Sequence, residues 1–360
     1  MRLFMLACLL ASLLCSAQNI PVAPVPSGPY ELVTGPVKLL EETDQRASVL
    51  GLIERARQNS DLHAPGGHPY ELKVTFDASG SVPYTGSGSI EELWYAPGKW
   101  AWKGQLGSYK QARINLQGRM FDEVSSPMPL RMQMVRGTIF WPIIMMPGAA
   151  LRIAAGTWKG APVMCVLGSH MLGDDGHRPG RRWEETEFCI STKSGLLQTY
   201  SVAPGIYAVY DYNNAIKFHA STLPRNITIY EGNATVLQIR LDSVIDAAPF
   251  DAKLFTPTPQ MVSSAAPRIS GTYRFPMSGG PAPVNTHGLI QPVIVHASVN
   301  SEGKAEEVEA LQDNDSALSA AAVALVKNSL RLPRPEMGRP RQGEVFVNVR
   351  FTPQPDQQGK

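Results

Sequence analysis

The stretch Ser89–Lys103 is apolar-rich on both sides of a break at Ala96, Pro97 and Gly98, and its second arm alternates with period two. Trp100 and Trp102 fall on one face and Lys99, Ala101 and Lys103 on the other, the pattern of a half-buried strand. Pro97 presets φ for a turn and Gly98 accepts a positive one, so two strands hinged there are predicted. Upstream, Leu72, Val74 and Phe76 alternate with Lys73, Thr75 and Asp77, which begins the same antiparallel sheet.

The rest of the first 257 residues follows suit. From Lys38 to Asn59, Leu39, Leu40, Ala47, Leu50, Ile53 and Ala56 recur at helical spacing, predicting one amphipathic helix packed against the sheet. Short alternating segments then run to Phe255, with strands expected at Val163–Leu167, Glu187–Ser191, Ala208–Tyr212, Ala215–Ala220, Asn226–Tyr230 and Thr235–Ile245. Between Pro127 and Pro147 the pattern changes: Pro129 starts a short helix with Leu130, Met134 and Val135 on one side, and Thr138–Met146 is almost wholly apolar. About ten strands with few helices predict one curved antiparallel half-barrel, mainly β with plugging α-helices, rather than a parallel sheet.

A Pro-, Ser- and Gly-rich stretch, placed at 258–287, reads as a linker. Beyond it, at 288–353, a small ββαβ domain is predicted. Its strands at Ile290–Val299 and Lys304–Leu311 flank a turn, and a helix over Ser316–Ser329, capped by Asp315, carries Leu318, Ala321, Ala322, Leu325 and Val326 on one face. In its last strand Val345, Val347, Val349 and Phe351 alternate, and a tail follows at 354–360.

Composition narrows the function classes. A net charge of +2 with 18% charged residues lacks the dense basic stripe of a nucleic-acid binder. Residues 1–17 have the form of a cleaved export signal: Arg2, an apolar run from Leu3 to Leu14 too short to span a bilayer, then Cys15, Ser16 and Ala17. The alternative is a lipid anchor on Cys15. A Pro-rich lead-in at 18–37 holds the prolines of Ile20–Pro36. Cleavage leaves Cys165 and Cys189, an even pair in facing strands of an exported chain, which predicts a disulfide.

A family resemblance rests on Leu93–Trp100, on Cys189–Leu197, on Tyr210, Asp211 and Tyr212, on Leu223–Ile227 and on Lys253, Leu254 and Phe255, in that order. Over about residues 38–257 the chain resembles the LolA-like outer-membrane lipoprotein-sorting family. That resemblance implies an incomplete antiparallel barrel with helices plugging a concave apolar face. Residues 288–353, with the turn at Asn300–Gly303, the Ala-rich helix, Leu332, Pro333 and the run Gly338, Arg339 and Pro340, resemble the TonB C-terminal domain. No N-terminal membrane anchor of the TonB type precedes them, nor does a tyrosine-proline pair, so energy transduction is not implied.

Chemistry adds little. His170 and His177, with Asp174 and Asp175 between them, sit in a glycine-punctuated tip that cannot fix a rigid ligand set, so no metal is expected. No nucleophile elbow, phosphate loop or paired carboxylates across a cleft point to an enzyme, and no cofactor is implied. Met128, Met132, Met134, Met145 and Met146 crowd one short stretch, and such thioethers suit either an adaptable apolar binding surface or an irregular core. The expected function is therefore a periplasmic, cell-envelope binding protein. It takes a lipid or lipoprotein acyl chain on a face lined by Trp100, Trp102, Leu130, Met134, Trp141 and Met145. The alternative is a non-enzymatic adaptor that binds outer-membrane or periplasmic proteins through the C-terminal domain, with Val345–Thr352 or another exposed edge pairing with a partner strand.

Overall fold

The computed structural model describes residues 33, 36–63, 67–123, 128–143, 148–169, 179–264, 270–284, 290, 292–300, 302–311, 316–332 and 342–353. The expected signal at 1–17, Cys15, most of the lead-in, Met145, Met146, His170, His177, Asp315 and the 354–360 tail lie outside the described residues.

β1 (Lys38–Leu39) and α1 (Thr43–Ser60) precede a meander of β2 (Tyr70–Ala78), β3 (Gly86–Ala96), β4 (Lys99–Leu106), β5 (Tyr109–Leu116) and β6 (Arg119–Asp122). After α2 (Leu130–Phe140) come β7 (Ala150–Trp158), β8 (Ala161–Ser169), β9 (Thr186–Ser191), β10 (Leu197–Ser201) and β11 (Ile206–Asp211). β12 (Ile216–Phe218), β13 (Ser221–Leu223), β14 (Asn226–Glu231), β15 (Ala234–Asp246) and β16 (Val262–Ser264) follow. The last stretch holds β17 (Ser270–Pro281), β18 (Val293–Val299), β19 (Ala305–Ala310), α3 (Ser316–Ser329) and β20 (Gln342–Thr352).

Fourteen strands form one antiparallel sheet in the order β1-β7-β8-β9-β10-β11-β14-β15-β2-β3-β4-β5-β6-β16. It is open and curved, because its outer strands β1 and β16 do not pair. The long ladder between β15 and β2, from Leu237 opposite Ala78 to Asp246 opposite Tyr70, joins the late strands to the early meander. The predicted hinge is present: β3 pairs with β4, and Gly98 has φ +76°. The predicted helix at 38–59 starts later, at Thr43, because Lys38 and Leu39 pair with β7. Val49, Ile53 and Ala56 of α1 are buried in the same core as the sheet's Leu72, Val74 and Phe76.

Two expectations change. Ala215–Ala220 does not join the large sheet; β12 and β13 make a separate two-stranded hairpin. The expected linker at 258–287 carries structure: β16 pairs with the edge strand β6, and β17 runs parallel to β20. Its Gly content concealed a strand in which Tyr273, Phe275 and Met277 alternate towards the α3 core. The glycines also have a packing use, since a Cβ at Gly279 would stand 2.5 Å from the Phe351 ring.

The C-terminal sheet has the order β17-β20-β18-β19, so β20 lies inside it and is not the free edge expected of Val345–Thr352. Val293, Val295, Val345 and Val347 of this sheet share a core with Leu318, Ala322 and Val326 of α3. Its opposite face is buried too: Ile294 and Phe346 belong to the core of the large sheet and α2. A strand buried on both faces, as β18 is along its whole length, needs a layer on each side. Here α3 supplies one layer, and the large sheet with α2 supplies the other.

Candidate functional site

α2 occupies the site. Every residue of the helix except Gln133 and Gly137 is buried, so it is a plug enclosed on all sides rather than a surface helix with one apolar stripe. Its Leu130, Met132, Met134, Val135, Ile139 and Phe140 share the core of the large sheet. Such a helix gains its burial from both layers at once, but its two arginines then have to be paired.

Both are, one near each end. Arg131 forms a bidentate pair with Glu309 of β19, at 2.9 Å for each nitrogen, and also bonds Glu231 of β14. The backbone N–H of Leu130 donates to Glu307 Oε2 at 3.0 Å, which satisfies one of the orphan donors of the first turn. Towards the other end, Arg136 reaches Glu92 of β3 at 3.3 Å, and its guanidinium lies 4.6 Å from the Trp102 ring and 4.7 Å from that of Phe140. Glu92 also accepts from Tyr70 and meets His63, which stacks on Phe140. Burial pushes the Glu92 carboxyl up, but His63, Arg136 and Tyr70 together hold it below its ordinary value, so it stays ionised.

Around Arg131 the charges are unequal. Two glutamates share one guanidinium, with Glu307, Glu344 and His296 close by. Burial, and then the Glu309 carboxylate, raise Glu231 to about 7 against the pull of Arg131. Burial also raises Glu344 and lowers His296, whose ring stacks on Phe346 at 4.4 Å, so His296 is neutral. A second contact between the sheets is Arg274 of β17, which donates to Thr186 Oγ1 at 2.8 Å and to the Val202 carbonyl.

The expected lining residues fare differently. Trp102, Leu130 and Met134 are buried against or within α2, and Trp100 is half-buried beside the same core. Trp102 has its room because residue 104 is glycine: a Cβ there would stand 2.4 Å from Trp102 Cζ3. Trp141, just past the helix, is 43% exposed. Met134 and Trp141 line a cavity of about 60 Å³ with Thr138, Tyr200, Ile229 and Glu344. Pockets for small molecules run to roughly 300–1,000 Å³, so this one admits a few waters and no acyl chain while α2 is in place. Sequence reasoning missed Arg131, Glu231, Glu309 and His296, because a charged residue on an otherwise apolar strand or helix reads as its solvent face.

Among the described residues two groups bring three metal-type ligands together. In Cys165, Glu187 and Cys189 the sulfurs are joined as the expected disulfide, directly opposite each other on β8 and β9. In Glu231, His296 and Glu309 the Arg131 guanidinium already bridges the two carboxylates, so a cation would have to displace it.

No protein-family model matches the chain, and no curated protein matches it. Among solved structures it is similar to a LolA superfamily protein from Nitrosomonas europaea, at 10% identity over 57% of this chain and 96% of that one, with a TM-score of 0.37. An outer membrane lipoprotein-sorting protein domain from Vibrio parahaemolyticus is similar at 6% identity over 56% and 95%, with a TM-score of 0.35. MucB is similar at 11% identity over 78% and 97%, with a TM-score of 0.29. At identities and scores this low, function has to be read from the chain's own residues.

Proposed function

We propose that the protein is an exported cell-envelope binding protein whose concave apolar face accommodates a lipid or lipidated peptide in place of α2. The observation that carries this reading is the burial of α2 on all sides together with its attachment by ion pairs near both ends. A segment meant only as core would gain more from apolar residues at 131 and 136, since buried ion pairs contribute little net stability and are better suited to fixing one arrangement among several. Trp102, Tyr70, Trp94 and Ile229 share the core that α2 fills, and Tyr70 and Trp94 stack on each other and on His63, which also stacks on Phe140, so vacating α2 would open a surface of large apolar side chains. An acyl chain buried there gains about 0.8 kcal/mol per CH₂.

The test is a fluorescent fatty acid titrated into the intact chain and into Glu309→Gln, with displacement by phospholipid. Tighter binding by Glu309→Gln than by the parent, lost again in Glu309→Gln with Ile229→Glu, is the expected result. No saturable binding by either protein, while hydrogen exchange shows α2 opening in Glu309→Gln, would overturn it.

A second reading is the envelope adaptor, and the small volume beside Met134 and Trp141 favours it. In that case the C-terminal sheet, which resembles the TonB C-terminal domain in sequence, presents an outer strand, β19 or β17, to a partner strand. Capture of an envelope protein that is lost when proline replaces Val308 supports it.

A further inference from the structure

We propose that the cleft between α1, the β9–β10 turn and the β12–β13 hairpin is a binding site for a phosphate-type oxyanion carried on a small polyol. The cleft measures about 340 Å³ and is lined by Leu52, Arg55, Gln58 and Asn59 of α1, by Thr192–Gly195 of the turn, and by Ala220. That volume is in the range of small-ligand sites. Its lining holds two cationic side chains and no carboxylate.

Neighbouring carboxylates are taken by another arginine. Arg57 engages Glu54 of α1 at 2.7 Å and Asp61, just past the helix, at 3.1 Å. Arg55 is left without an ion pair among the described residues, and so is Lys193 in the turn opposite. Like charges lining one cleft disfavour each other, and an anion between them removes that repulsion.

The turn is held in place to meet it. The Ser194 N–H donates to Ser191 Oγ at 3.2 Å, the Gly195 N–H donates to the Ser191 carbonyl at 2.9 Å, and Gly195 has φ +69°. A Cβ at Gly195 would stand 4.0 Å from Arg55 Cβ, so turn and helix are packed against each other at that point. Ser221 Oγ donates to the Gln58 carbonyl at 3.3 Å and ties the hairpin to the same stretch of α1.

The donors still open define the ligand. Asn59 spends its amide on the Arg55 carbonyl and Gln58 spends its own on Glu54, which leaves their side-chain oxygens as acceptors for ligand hydroxyls. The Ser194 hydroxyl accepts from the Leu196 N–H, and its own proton is free to donate. An oxyanion thus meets Arg55, Lys193 and the Ser194 O–H, while Gln58 and Asn59 accept from hydroxyls beside it. Glycerol phosphate has that chemistry, whether free or as a lipid headgroup, and the site does not depend on any acyl chain being bound.

The experiment titrates inorganic phosphate and glycerol 3-phosphate into the intact chain, read by isothermal calorimetry and by amide shifts of residues 192–196. Saturable binding is expected, tighter for glycerol 3-phosphate, weakened about tenfold in Arg55→Gln and in Lys193→Gln, lost in the double variant, and unchanged in Arg57→Gln. Cosedimentation with phosphatidylglycerol vesicles that disappears in the double variant identifies the source as a headgroup. Binding of glycerol 3-phosphate without cosedimentation identifies a free phosphate ester. Absence of saturable binding, or equal weakening by Arg57→Gln, would overturn the assignment.

Discussion

Arg131 of α2 and Glu309 of β19 form a two-point ion pair, each nitrogen 2.9 Å from a carboxylate oxygen, across 178 residues of sequence. The pair ties the plug of the large sheet to the C-terminal sheet, and it is almost wholly out of solvent, with side-chain exposures of 0% and 6%.

Removing one partner should therefore be costly. Glu309→Gln leaves Arg131 with Glu231 as its one carboxylate beside the Ser79 carbonyl, and Arg131→Met leaves two buried glutamates together; breaking such a pair costs about 3–5 kcal/mol. The double variant Arg131→Met with Glu309→Leu should lose less than the sum of the single variants. Urea unfolding of all three checks this, and additive losses would show that the two side chains do not act as a pair.

Gly137 offers the opposite change. It lies inside α2, and a Cβ there would meet nothing within 4 Å. Gly137→Ala should raise stability by up to about 1 kcal/mol through helix propensity alone. If ligand binding requires α2 to leave, the same substitution should weaken fatty-acid affinity by a few-fold, measured beside the parent in one titration.

The charge imbalance around Arg131 predicts a pH effect. Glu231 holds its proton up to about pH 7 in the folded chain, against an ordinary value of 4.5. Between those values the folded state binds the extra proton, so this residue's contribution falls as pH rises through that window. Burial raises Glu344 and Glu307 in the same sense, whereas His296, kept neutral, acts in the other. The clean measurement is the difference in Tm between parent and Glu231→Gln. The parent should lose ground to the variant from pH 5 to pH 8, and a constant difference would refute the assignment.

The disulfide closes a stretch with a sequence separation of 24, and its loss should destabilise the fold by about 3 kcal/mol on the loop-entropy model. Cys165→Ala with Cys189→Ala, compared in guanidinium unfolding with and without reductant, measures it. The reductant should shift the parent curve and leave the variant's unchanged.

Much of the fold is legible in the residues. Leu72, Val74 and Phe76 betray β2 by alternation, Pro97 and Gly98 mark the β3–β4 turn, and the α3 range follows from Leu318, Ala322 and Val326. β17 is not legible, because Gly271, Gly279 and Gly280 mimic a linker while the strand's identity comes from its partner β20. The site is legible only in its apolar half. Met134 and Trp102 announce themselves, but Arg136 looks like a solvated position until Glu92 is placed against it by a sheet register that no local pattern encodes. Phe346 and His296 are likewise invisible as buried groups, since the valine alternation in β20 and β18 accounts for only one face of their sheet.

The double burial of β18 also orders events as the chain is made. Its layer on one side is α3, which follows it, and on the other the large sheet with α2, which precedes it. Glu92 and Glu231 of the large sheet already hold α2, but Glu309 comes from a strand made after every strand of that sheet, so the newborn large sheet keeps its plug with one ion pair fewer until β19 emerges. In that interval the core of the large sheet and α2 also lacks Ile294 and Phe346, so apolar surface that the C-terminal sheet later covers is open, a hazard of aggregation for a nascent chain.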